Sequence, residues 1–283
     1  MPEFNFEILK DPRIFQENRL KVHSDHEWYV RAENEEKGKS DCKYSLNGTY
    51  RFHYAPNIEG LINGFEKNDL DVDGWDYITV PGHIQMQGYG HPQYVNTEYP
   101  WDGIEEIVPG EIPVKNNPIG QYVKTFRLPD FMKNGPVYIS FQGVESGFAL
   151  WLNGSYVGYS EDSFTPSEFD LTPYIDREGE NRLAIDVFRY TSGSWCEDQD
   201  FFRFSGIFRE VYLYTVPQVH VWDLKIDAGL DDTYKTGLLQ IKMDTHCQRT
   251  EFHTRLHRYR RCCQDDIHIF RCSVQALSFR VVQ

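Results

Sequence analysis

A β-sandwich is the fold class this sequence predicts, and three observations predict it. Aromatic residues make up 15% of the 283 positions, a share that suits pleated, half-buried surfaces. Short runs of alternating apolar and polar residues recur from Ser45 to Val216, separated by Gly, Pro and Asn-Gly turn signals. Stretches with helical periodicity are few.

Taken in order, residues 1–45 are polar and irregular and read as an arm laid across the body. Ile14, Phe15, Leu20, Trp28 and Tyr29 are its expected pins. His23, Asp25 and His26 have a metal-ligand spacing, but no further ligand lies nearby, so the reading taken is a hydrogen-bonded turn. In S-L-N-G-T-Y-R-F-H-Y, Tyr50, Phe52 and Tyr54 share one face after an Asn47-Gly48 turn. Trp75–Val80 is the next strand, followed by a Pro- and Tyr-rich stretch and a long surface loop over 102–120. Gln121–Leu128 and Val137–Gly143 follow. Phe148–Leu152 and Tyr156–Ser160 form a hairpin whose Asn153-Gly154 link is what a type I′ turn requires. Asn181–Tyr190 alternates Leu183, Ile185 and Val187 against Ala184, Asp186 and Phe188, and Val211–Val216 closes the set. Pro217 marks a boundary. Beyond it, Val219–Ile226 and Gly237–Met243 are two strands of a second β-domain, too few to stand alone.

The net charge of −14 excludes nucleic acid as a partner, since phosphate binding needs a basic face. No apolar run approaches the ~20 residues of a membrane span. The start, M-P-E-F-N-F-E-I-L-K, lacks the basic and apolar regions of a signal peptide, so a cytoplasmic location is expected. The sequons at Asn47 and Asn153 are then turn residues, and Cys42 and Cys196 reduced thiols. At about His246 the composition breaks. Residues 246–283 contain no Gly, Pro, Lys, Asn or Trp but seven Arg, four His and four Cys, and the charge changes from −18 over 1–245 to +4. A zinc site from His246, Cys247, His257, Cys262 and Cys263 lacks the Cys-x-x-Cys spacing of structural zinc modules. The tail instead reads as a shifted frame with low intrinsic order.

Chemistry concentrates in Gly193–Val211. Glu197, Asp198 and Asp200 place three carboxylates within four residues and demand compensation by arginines, a cation or a polyhydroxylated ligand. A solvated acidic turn is the plain alternative. Phe201, Phe202, Phe204 and Phe208 alongside favour a carbohydrate site, because a sugar needs an apolar face for its ring and acceptors for its hydroxyls. Arg203 and Arg209 read as structural, paired with acidic neighbours. Of Trp75, Trp101, Trp151 and Trp195, Trp151 belongs to the core and Trp195 is the best candidate sugar contact. The acidic stretch 160–170 reads as turns held by Ser and Asp side chains.

Three segments now carry a resemblance: V-P-G-H-I-Q-M-Q-G-Y-G-H-P-Q-Y-V-N-T-E-Y-P-W (80–101), W-L-N-G-S-Y-V-G-Y-S-E-D-S-F-T-P-S-E-F-D-L-T (151–172) and E-D-Q-D-F-F-R-F-S-G-I-F-R-E-V (197–211). Together they resemble the amino-terminal third of bacterial β-galactosidases of glycoside hydrolase family 2, and the likeness runs from Asn18 to about residue 245. It implies an all-β chain. The arm (1–45) precedes a galactose-binding-like jelly-roll sandwich at 46–216, then the start of an immunoglobulin-like sandwich at 217–245 and the unrelated tail at 246–283. It implies a β-galactoside substrate that Asn96 and Asp200 contact, with Asp200 also holding a sodium ion. In the family a TIM barrel follows, carrying two catalytic glutamates in motifs like N-E-S-G and C-E-Y together with a magnesium site; full-length relatives are oligomers. Neither motif occurs here, so no catalytic residue is assigned and the chain is expected to be inactive alone. Two readings follow: a β-galactosidase cut short, or a carbohydrate-binding or complementing subunit whose partner chain bears the barrel.

Overall fold

The computed structural model describes residues 4–197, 200–230, 232–234 and 237–247. The cysteine- and arginine-rich stretch beyond residue 247, with the zinc and low-order readings attached to it, lies outside them. The described residues divide into two compact units, one drawn from Met1–Val22 with Lys43–Thr215, the other from His23–Cys42 with Val216 onward.

The first unit is a jelly-roll β-sandwich. Its strands in chain order begin with β1 (Gln16–Glu17), β2 (Lys43–Ser45), β3 (Gly48–Ala55), β4 (Asp76–Val80), β5 (Gln93–Val95) and β6 (Ile119–Arg127). Then come β7 (Tyr138–Phe141), β8 (Val144–Glu145), β9 (Gly147–Leu152), β10 (Ser155–Ser160), β11 (Ser167–Asp170) and β12 (Glu180–Phe188). β13 (Phe201–Arg203), β14 (Gly206–Ile207) and β15 (Val211–Tyr214) complete it. A seven-stranded antiparallel sheet, in the order β1-β10-β9-β12-β6-β3-β4, faces a four-stranded one, β11-β7-β15-β2. Side chains from both inner faces, such as Phe52, Tyr122, Phe148 and Ile185 against Ile139, Phe141, Phe169 and Leu213, form the main core. The Phe141 and Phe148 rings meet across it with centroids 4.8 Å apart.

The other face of the seven-stranded sheet is also covered. Ala149, Trp151, Tyr156, Ala184 and Phe188 pack there against Ile8, Leu9 and Phe65. This explains why β12 is buried along nearly its whole length although its sequence alternates. The anchoring of the arm differs from expectation. Phe15 is 54% exposed, while Ile8 and Leu9, on a short 3-10 turn capped by Asn5, are buried. The arm is held by the apolar face it finds on the sheet, which its own polar sequence does not disclose. The expected hairpin is present: Asn153 and Gly154 take φ of 52° and 78°, the left-handed pair of a type I′ turn, between β9 and β10.

In the second unit, β16 (Val219–Leu230) and β17 (Gly237–Cys247) pair as one long antiparallel ladder. His23 and His26 form no metal cluster among the described residues. Their rings bond the Ser24 carbonyl and pack against Trp222 and Trp28, respectively. A single short α-helix, Ala32–Glu36, is present among the described residues, and no described helix is long and apolar enough to cross a membrane.

Candidate functional site

Two residues 104 positions apart are brought to one place by the short β5–β13 ladder, which pairs Phe201 with Val95, Phe202 with Tyr94 and Arg203 with Gln93. Extending that register by one step sets Asn96 opposite Asp200, and both are exposed. The Tyr94 hydroxyl donates to Asp200 Oδ1 in a short hydrogen bond, and that bond is the main cause of the raised Tyr94 pKa. Tyr94 is a site residue that sequence reasoning missed; its only signal was its place two residues before Asn96 on a strand.

Of the three expected carboxylates, the two within the described residues part from each other. Asp198 lies outside the described residues. Glu197 turns inward, where Ser163 Oγ donates to its Oε1 at 3.4 Å, while Asp200 stays at the surface. Beneath the loop a small cavity of about 10 Å³ is lined by Glu145, Glu197, Arg189, Arg203 and Tyr190 among others. Burial, aided by the neighbouring Glu197, pushes the Glu145 carboxyl up to about 7. Burial raises Glu197 as well. Arg203 is itself buried, donates to the Glu197 carbonyl and lies 4.4 Å from the Phe201 ring centroid. It ties the strand to the loop as expected. Arg209 pairs with no acid among the described residues: it donates to the Phe164 carbonyl at 2.8 Å and sits over the Phe208 ring.

The start of the loop is fixed from the 160–170 segment. Glu161 accepts from the Gly193 amide at 2.9 Å, from Thr191 Oγ1 at 2.9 Å and from both Ser192 and Tyr159 hydroxyls. Trp195, four residues on, packs against Tyr99 and Trp101 at 4.8 and 4.9 Å and donates to the Glu111 carbonyl at 2.6 Å. Its ring is half-buried in that trio. Trp151 is buried on β9. From Asp200 an aromatic chain runs through Tyr94, Phe202, Phe204, His83 and Phe208, with successive centroids 4.5–5.7 Å apart. Phe202 is 49% exposed, so an apolar surface does adjoin the carboxylate. For a cation the described residues offer Asp200 as the one surface carboxylate of the loop, and no group of three or more His, Cys, Asp or Glu residues placed to hold a metal occurs among them. A single carboxylate suits a monovalent ion only if further oxygens are supplied.

A family model described as glycosyl hydrolases family 2, sugar binding domain, matches residues 43–217. A β-galactosidase of Halalkalibacterium halodurans is 54% identical over 241 residues, which is 85% of this chain and 24% of that protein. A β-galactosidase large subunit of Leuconostoc lactis is 43% identical over 249 residues, covering 84% of this chain and 40% of the relative. The chain thus spans well under half the length of either. Among solved structures, a β-glucuronidase of Bacteroides uniformis superposes with a TM-score of 0.55 at 19% identity, over 72% of this chain and 22% of that one, a likeness of fold.

Proposed function

The chain belongs to glycosyl hydrolase family 2, and on that premise we propose that it is the amino-terminal, sugar-binding part of a β-galactosidase. In this reading it takes part in retaining hydrolysis of terminal β-galactosides such as lactose. Asn96 and Asp200 contact the galactosyl hydroxyls, and Asp200 gives one oxygen to a sodium ion whose other ligands come from elsewhere. Trp195 and Tyr94 shape and hold the loop. The observation that carries the reading is the β5–β13 register, which presents a carboxylate and a carboxamide together at an exposed ladder end beside aromatic surface. Catalysis needs two carboxyl groups about 5–5.5 Å apart, and the 283 residues hold neither N-E-S-G nor C-E-Y. Glu197 and Asp200 point apart and do not replace them. We therefore assign this chain no catalytic residue and expect hydrolysis only when a barrel is supplied.

A second reading, favoured by the relatives described as large subunits, is a complementing subunit that works with a separate barrel-bearing chain. Mixing the protein with a barrel-bearing β-galactosidase fragment and following a chromogenic galactoside tests both. Activity that appears on mixing, and whose kcat/KM falls about 10- to 100-fold with Asp200→Ala, supports the assignment, since a hydrogen bond to a charged group contributes about 1.5–3 kcal/mol. Activity indifferent to Asp200→Ala overturns the role given to that residue.

A further inference from the structure

The covered face of the seven-stranded sheet contains an open cleft of about 450 Å³, which shares no residue with the loop carrying Asn96 and Asp200. Phe4, Phe65, Trp151 and Tyr156 supply aromatic walls. On its floor Asp186 and Gln121 face each other across β12 and β6, and Gln121 Nε2 donates to Asp186 Oδ1 at 3.1 Å. Gln121 is fixed in turn by the Ile62 amide, which donates to its Oε1 at 2.9 Å. Asp186 is 2% exposed.

A carboxyl in the middle of a core strand is costly, and the nearby charge that acts on it is Glu66, of the same sign. Asp186 is flanked across the ladder by Ala149, whose small side chain leaves room above it. An oriented carboxyl and carboxamide at the bottom of an aromatic cleft is the arrangement that receives a hydroxylated ring: C–H faces against the walls, hydroxyls on the polar floor. Lys67 on the rim adds a donor and disfavours an organic cation. We propose that this cleft is a saccharide-binding site, in which the Asp186–Gln121 pair hydrogen-bonds the hydroxyls of a neutral hexopyranoside. The proposal does not rest on the reading of Asp200, and the site is complete within this chain.

Calorimetric titration of the whole protein with methyl β-D-galactopyranoside and methyl β-D-glucopyranoside, with choline chloride as the cationic control, tests it. Binding of at least one glycoside is expected. Asp186→Leu weakens it about tenfold or more, as loss of a ligand hydrogen bond does, while Asp186→Asn stays within about threefold. Asn63→Trp, on the exposed rim, blocks the cleft without touching the sheet and gives the same loss should Asp186→Leu fold poorly. No heat with either glycoside, glycoside binding that survives both Asp186→Leu and Asn63→Trp, or binding of choline alone overturns the proposal.

Discussion

Asp186 carries a signature that needs no ligand to measure. Burial pushes its carboxyl up to about 8, with Glu66 adding to the effect and the Gln121 bond opposing it. An unfolded aspartic acid titrates near 3.9. The folded state therefore favours the protonated form, so this group's stabilising contribution is complete below about pH 4 and is lost as pH rises through 8. Relative to Asp186→Asn, the wild-type protein should lose stability between pH 5 and 8, at up to about 1.4 kcal/mol per pH unit. Denaturant titrations at the two pH values read the difference; a gap that does not change with pH contradicts the burial account. Glu145 carries the same sign with a narrower window, since its carboxyl is raised only to about 7. Arg203 lies beside Glu145 and Glu197 and helps offset their charge. Its removal leaves two half-compensated carboxylates under the loop, and Arg203→Ala should cost about 3–5 kcal/mol. Urea midpoints check this, and a loss below 1 kcal/mol, about what an ordinary surface change gives, would show that the arginine is dispensable there.

At the scale of elements, the hairpin and the arm show what local sequence can and cannot specify. Asn153-Gly154 was readable because a type I′ turn needs left-handed backbone at both positions, a demand only a few residues meet. A Cβ on Gly154 would meet nothing closer than 3.9 Å, so the cost of Gly154→Ala is conformational alone, about 1–2 kcal/mol with an unchanged m-value. The arm was misread at Phe15 because its anchors make contacts distant in sequence. Leu9 has no exposed surface, and Leu9→Ala should destabilise by about 2–5 kcal/mol in thermal or urea unfolding, through the cavity it leaves. A cost below 1 kcal/mol, the size of an ordinary surface change, would mean the arm is not part of the first unit's core. The alternation of β12 was equally plain, yet alternation cannot say that the second face is covered too. That covering turns Asp186 from an outward polar residue into a buried one. At the candidate site, Asn96 and Asp200 came from long motifs, whereas Tyr94 and the inward turn of Glu197 depend on the β5–β13 register and on buried arginines that no local pattern reveals.

At the scale of the molecule, a jelly roll presents a few polar side chains at one ladder end, and the 283-residue sequence holds neither N-E-S-G nor C-E-Y. The relatives with 54% and 43% identity are much longer, and the chain covers 24% and 40% of them. The account stands or falls on the purified protein, free of other glycosidases, incubated alone with a chromogenic β-galactoside. No turnover above the buffer rate is the predicted result; sustained hydrolysis by this chain unaided would contradict it.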